Sequence, residues 1–130
     1  MYVIVWRYSV PTRCEREFRS AYAPDGDWTV LFSRSRGFIG SELIPLDERG
    51  RFITIDRWAS EADFSDFMAH HGDEYRRLDR RFESLADAEE LIGRGSTVVQ
   101  RDADRSDRVP DIGGAGGAEQ EHRRPDILEP

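Results

Sequence analysis

The first ten residues alternate, yet neither side of the alternation is polar. Tyr2, Ile4, Trp6 and Tyr8 fall on one side, and Val3 and Val5 on the other. Aromatic and β-branched residues at a period of two predict a strand over residues 2–10, and Pro11 predicts its end. A strand that is apolar on both sides needs a cover for each. Helices can supply one cover; the other must come from elsewhere.

The period then changes. Thr12-x-x-Glu15 has the spacing of a capping box, and Cys14, Phe18, Ala21 and Tyr22 recur at helical intervals. The run Ala23-Pro24-Asp25-Gly26-Asp27 predicts a turn, and residues 28–34 a short helical turn burying Trp28, Leu31 and Phe32. Residues 37–46 and 51–58 predict two strands around Asp47-Glu48-Arg49-Gly50, with Gly50 suited to a positive φ. In the second of these strands Phe52, Thr54, Asp56 and Trp58 face one way, and Ile53, Ile55 and Arg57 the other.

Ser60-x-x-Asp63 has the spacing of a second cap. It opens a helix whose stripe is Phe64, Phe67, Met68, His71, Tyr75, Leu78 and Phe82, with a kink expected at Gly72. Ser84-x-x-Asp87 predicts a third, short helix over 86–92, closed by Gly93, and residues 96–101 a last strand carrying Val98 and Val99. Strand, helix, hairpin, helix, strand is the split βαβ order. The expected fold is therefore α+β and ferredoxin-like, β-α-β-β-α-β, with an antiparallel sheet over residues 1–101.

Composition sets that domain apart from the C-terminal tail. Residues 102–130 contain no aromatic residue, a Gly113-Gly114-Ala115-Gly116-Gly117 run, eight acids and four arginines. So little apolar surface does not offset ordering entropy, so this tail is expected to be disordered or docked on a partner. A net charge of −7 argues against nucleic acid and anionic membrane surfaces as partners. No apolar run reaches the roughly 20 residues needed to span a bilayer, and the start reads as no signal peptide. A cytoplasmic location is the expectation. A single cysteine, Cys14, excludes an internal disulfide. Cys14 lies on the helix stripe and is expected to be buried filler. The chain has no lysine, which excludes Schiff-base chemistry, and no asparagine.

The segments YVIVWRYSV, LFSRSRGFIGSELI, RFITIDRWAS and EADFSDFMAHHGDEYRRLD resemble the single-domain antibiotic biosynthesis monooxygenase (ABM) family of dimeric α+β barrels. The resemblance spans Met1 to about Arg101. It rests on Glu17-Phe18, Gly37-Phe38, Leu43, the Asp56-Arg57-Trp58 strand end and the Phe64/Phe67 helix. It implies a homodimer whose sheets face each other, which would supply the missing second cover. It also implies a pocket between sheet and helices for a small aromatic or hydrophobic ligand, and monooxygenase chemistry on an aromatic or quinol-type molecule with O2 and no dissociable cofactor. A non-catalytic ligand-binding or accessory module of the same fold is the alternative. The haem-degrading branch relies on an Asn on the first strand and a Trp and a His on the long helix. This chain has no Asn, and Phe67 stands where that Trp is expected.

The residues suited to chemistry are few. His71 lies on the helical stripe, with an imidazole that titrates near ~6.5 when unperturbed, and Tyr75 follows one turn later. These are the candidate catalytic residues. Both are also readable as packed helix residues. Trp6, Phe32, Phe38, Trp58 and Phe67 are the candidate substrate-binding residues. His70 falls off the stripe, and adjacent histidines share no helix face, so no metal pair is expected. Arg7, Glu42, Asp56 and Arg57 are strand charges that need partners. Arg76, Arg77, Arg80 and Arg81 alternate with acids as a solvated face.

Overall fold

The computed structural model describes residues 1–98. β1 (Tyr2–Ser9), α1 (Glu15–Tyr22), α2 (Asp27–Phe32), β2 (Phe38–Pro45), β3 (Arg51–Trp58), α3 (Glu61–Phe82) and β4 (Ala88–Ser96) follow in order. The four strands form one antiparallel sheet in the order β2-β3-β1-β4. The expected ferredoxin-like α+β fold is the observed one. The tail at 102–130 lies outside the described residues, as does the second half (99–101) of the strand expected at 96–101.

The central strands obey their alternation. Tyr2, Ile4, Trp6 and Tyr8 on β1, and Phe52, Thr54 and Trp58 on β3, are buried beneath the helices. The hairpin turns as expected. Gly50 takes φ +79°, and a Cβ there would lie 2.8 Å from the Val10 carbonyl oxygen. The Val10 N–H donates to the Gly50 carbonyl at 2.7 Å. The Ser60 hydroxyl caps α3 by accepting from the Asp63 N–H at 3.1 Å. The helix then loses its geometry at His71 (φ −125°, ψ 18°), one residue before Gly72.

Two expectations fail near the ends of helices. Thr12–Cys14 is a single 3-10 turn entered from Pro11, and no side chain caps α1. The tighter turn satisfies the Cys14 N–H from the Pro11 carbonyl at 2.9 Å, so the Thr12/Glu15 box is not needed. The third helix at 86–92 does not form. Glu83–Leu85 is a 3-10 turn, and the chain then extends into β4, which begins eight residues earlier than the expected last strand. The ladder with β1 explains this. It runs from Asp87, whose N–H reaches the Ser9 carbonyl at 2.8 Å, to Thr97, whose N–H reaches the Met1 carbonyl at 2.9 Å. Pairing along a whole strand outweighs the local helix preference of Ala-Glu-Glu-Leu-Ile. Ser84 and Asp87 therefore cap nothing.

The sheet's two faces differ. The inner face is sealed by α1, α2 and α3. The outer face carries Val3, Val5, Ile53 and Ile55, all half-buried, and no described element lies over it. Gly40, Gly93 and Gly95 leave open space where side chains would stand. Cross-strand ion pairs, Arg7–Glu90 and Arg57–Glu42, join β1 to β4 and β3 to β2. These pairs are substantially exposed, so they contribute little to stability.

Candidate functional site: an aromatic interior with one polar patch

The interior between the inner face and the helices is filled by rings. Phe32 on α2 reaches Phe38, Trp58 and Phe67 at centroid distances of 5.3, 5.4 and 5.4 Å. Trp58 lies 5.1 Å from Phe38 and 5.2 Å from Phe67. Four of the five residues expected to bind substrate thus form one contiguous cluster. Edge-to-face and tilted contacts of this kind add about 0.5–1.5 kcal/mol per pair beyond burial. The fifth, Trp6, lies one strand over, opposite Thr54 in the β1–β3 register, with its ring 6.4 Å from Tyr8. Trp58 is fully buried, and its Nε1 has no hydrogen-bond acceptor among the described residues.

Tyr75 and His71 part company. Tyr75 is buried, edge-on to Trp28 at 5.0 Å and stacked with Phe32 at 6.3 Å. His71 sits at the boundary, its ring 5.3 Å from Phe67 and its Nδ1 3.0 Å from Glu74 Oε1. Glu74 also takes a hydrogen bond from Arg34, two residues beyond the end of α2. The bonds from His71 and then Arg34 hold the Glu74 carboxyl below the usual carboxylate range. His70 is exposed, with Nδ1 2.8 Å from the Asp66 carbonyl oxygen.

One polar patch interrupts the aromatic wall. Thr54 is only 5% exposed, and the Ser41 hydroxyl donates to Asp56 Oδ1 at 2.7 Å across the β2–β3 register. These three face Tyr22, Trp28 and Phe32 over a cavity of about 10 Å3. That is about the room of one water. Thr54 and Asp56 had a visible signal in the sequence: they occupy inward positions on a strand that alternates with Phe52 and Trp58. Ser41 had none, because its place depends on cross-strand register. As a whole the patch can hold one hydroxyl-bearing group against an aromatic surround. Neither an aromatic ring nor a haem fits so small a gap as it stands, and His71 Nδ1 lies against Glu74.

No family profile matches the chain, and no curated relative does. Solved structures do. SnoaB, a cofactor-independent oxygenase from Streptomyces nogalater, is 18% identical, covers 76% of this chain and 94% of its own, and superposes with a TM-score of 0.56. MhuD, a haem degrader from Mycobacterium tuberculosis seen with two haems in its active site, is 19% identical over 78% of this chain and 100% of its own, with a TM-score of 0.56. A Deinococcus radiodurans protein assigned provisionally to the antibiotic biosynthesis monooxygenases is 10% identical over 79% and 98%, with a TM-score of 0.63. The chain carries the ABM fold. The interior of this chain is closed: α2 carries Trp28, Leu31 and Phe32 inward, and all three are buried. Among the described residues no helix is long and apolar enough to cross a membrane, and no group of three or more His, Cys, Asp or Glu is placed to hold a metal.

Proposed function

We propose that the chain is a small monooxygenase of the ABM type, acting on an aromatic or quinol-type molecule with O2 and no dissociable cofactor. The carrying observation is the Ser41–Thr54–Asp56 patch, the polar spot on an otherwise aromatic wall. A phenol is recognised by such a wall through its ring and by such a patch through its hydroxyl. Asp56, oriented by Ser41, accepts the phenolic proton. The electron-rich phenolate then gives two electrons to O2 to form a ring hydroperoxide, and loss of water from it takes two more from the ring C–H, so the substrate supplies all four electrons. One oxygen atom enters the ring to give a quinone, and the other leaves as water. Tyr75 orients the ring from beside Trp28, and His71, at the boundary, exchanges the proton with solvent. The aromatic cluster of Phe32, Phe38, Trp58 and Phe67 forms the ring-binding wall, with Trp6 behind Thr54.

The working unit in this reading is a cytoplasmic homodimer closed across the outer sheet face. Val3, Val5, Ile53 and Ile55 support it, since branched aliphatic residues left in water favour association. One observation favours a second reading, a non-catalytic ligand-binding or accessory module: the interior gap holds about 10 Å3, far less than an aromatic ring. In the enzyme reading α2 must yield before substrate enters.

The two separate in an oxygen electrode, with quinone absorbance followed alongside. Phenols and hydroquinones are expected to drive O2 uptake, and Asp56→Asn to slow it by about 10²–10⁴-fold without unfolding the protein. Absence of uptake with every phenol, while native mass spectrometry still finds one bound, would replace the enzyme by the binding module.

A further inference from the structure

A second and much larger opening lies on the other side of α2. It is an open groove of about 810 Å3 between the α1–α2 turn and the C-terminal half of α3. It shares no lining residue with the interior gap: Trp28, Thr29 and Phe32 line the gap, and Asp27, Val30 and Leu31 the groove. Leu31, Leu78 and Val30 give it an apolar surface, and Val30 is 62% exposed.

Three guanidinium groups line the same groove: Arg34, Arg77 and Arg81. Two are already engaged there. Arg34 pairs with Glu74, and Arg81 lies 3.9 Å from Asp27. Arg77 falls three residues after Glu74 and four before Arg81, which sets it on their side of α3. It has no carboxylate within ion-pair distance among the described residues and acts on Asp73 only at longer range. Asp25 is exposed in the turn before Gly26. The groove therefore offers one guanidinium, Arg77, without an ion-pair partner among the described residues above an apolar surface, with Asp25 at the turn balancing the formal charge.

We propose that this groove binds a monoanionic, amphipathic small molecule, an aromatic or aliphatic carboxylate. Its carboxylate sits on Arg77 and its apolar body along Leu31, Leu78 and Val30. A guanidinium matches a carboxylate in a bidentate pair. A polyanion would find its further charges opposed by Glu74, Asp27 and Asp25. The volume lies within the roughly 300–1,000 Å3 of small-molecule sites. The site is independent of the interior one.

Three ligands sharing one ring test the assignment by calorimetry on the full chain: 1-naphthoate, 1-naphthylmethanol and 1-naphthylmethylammonium. The naphthoate is expected to bind about tenfold or more tighter than the other two. Arg77→Gln is expected to erase that preference, and Val30→Asp to weaken binding of the naphthoate and the alcohol. Equal affinity for acid and alcohol, tighter binding of the amine, or an unchanged preference in Arg77→Gln would each overturn the proposal. So would loss of naphthoate binding in Asp56→Asn, which would move the site to the interior. Binding that emerges only after Ile127→Asp and Leu128→Asp together would assign the groove to the chain's own segment instead.

Discussion

The two faces of the sheet are built on the same strands and finished in opposite ways. Inward, β1 and β3 present Tyr2, Trp6, Tyr8, Phe52 and Trp58, none more than 4% exposed. Outward, the same strands present valine and isoleucine, and β2 and β4 present glycine at three positions. Large rings on the inner face are met by rings from α1, α2 and α3, so the chain completes that side by itself. The outer face has short branched side chains, bare backbone and two cross-strand ion pairs, and no described element meets it. A period of two thus records which side is apolar, but not whether the cover comes from the same chain.

The sharpest way to break the inner half of this comparison is Trp58→Ala. Trp58 is fully buried among Phe32, Phe38, Phe64 and Phe67, and no neighbour can collapse into so large a space. A loss of about 3–5 kcal/mol in urea unfolding is expected. A loss under about 1 kcal/mol would mean that the interior repacks freely and that its closure is not a fixed property. The outer half is tested by Ile55→Asp. It adds a charge beside Val5 and Glu42 without touching the ring cluster. Sedimentation is expected to shift from two subunits to one, with little change in far-UV circular dichroism. A native chain that already sediments as one subunit would remove the proposed homodimer.

The smallest effect concerns how the turn that follows α2 is attached to α3. Glu74 binds His71 and Arg34, and its folded pKa is depressed. A depressed carboxylate contributes stability that is full above its unfolded pKa and fades as pH falls through the folded one. Exchange of α2 amides is therefore expected to quicken as pH falls below the ordinary carboxylate range and through the lowered Glu74 value. Glu74→Gln is expected to show the faster exchange already at neutral pH and to flatten the acid response. An identical acid response in Glu74→Gln would place the sensitivity elsewhere.

Much of this could be read from the residues in order. The alternation in β1 and β3, the Gly50 turn, the Ser60 cap and the α3 stripe are local patterns, and each forms as its spacing predicts. β4 was illegible for a specific reason. Ala-Asp-Ala-Glu-Glu-Leu-Ile is composed like a helix, and only pairing with a strand some eighty residues earlier in the chain makes it extended. The candidate site was half legible. The rings were identifiable from their stripes, and Thr54 and Asp56 from their inward positions. That the rings leave space for barely one water depends on their summed volumes against α2, and that Ser41 meets Asp56 depends on register. Neither quantity is local.

The hairpin between β2 and β3 is less free than its place at a strand end suggests. Its last residue is fastened to the end of β1, through a backbone bond at 2.7 Å and an approach too close for any side chain. The tip is therefore a seam rather than a loose end. Lengthening or grafting there would unpick the start of the first crossover as well as the turn itself.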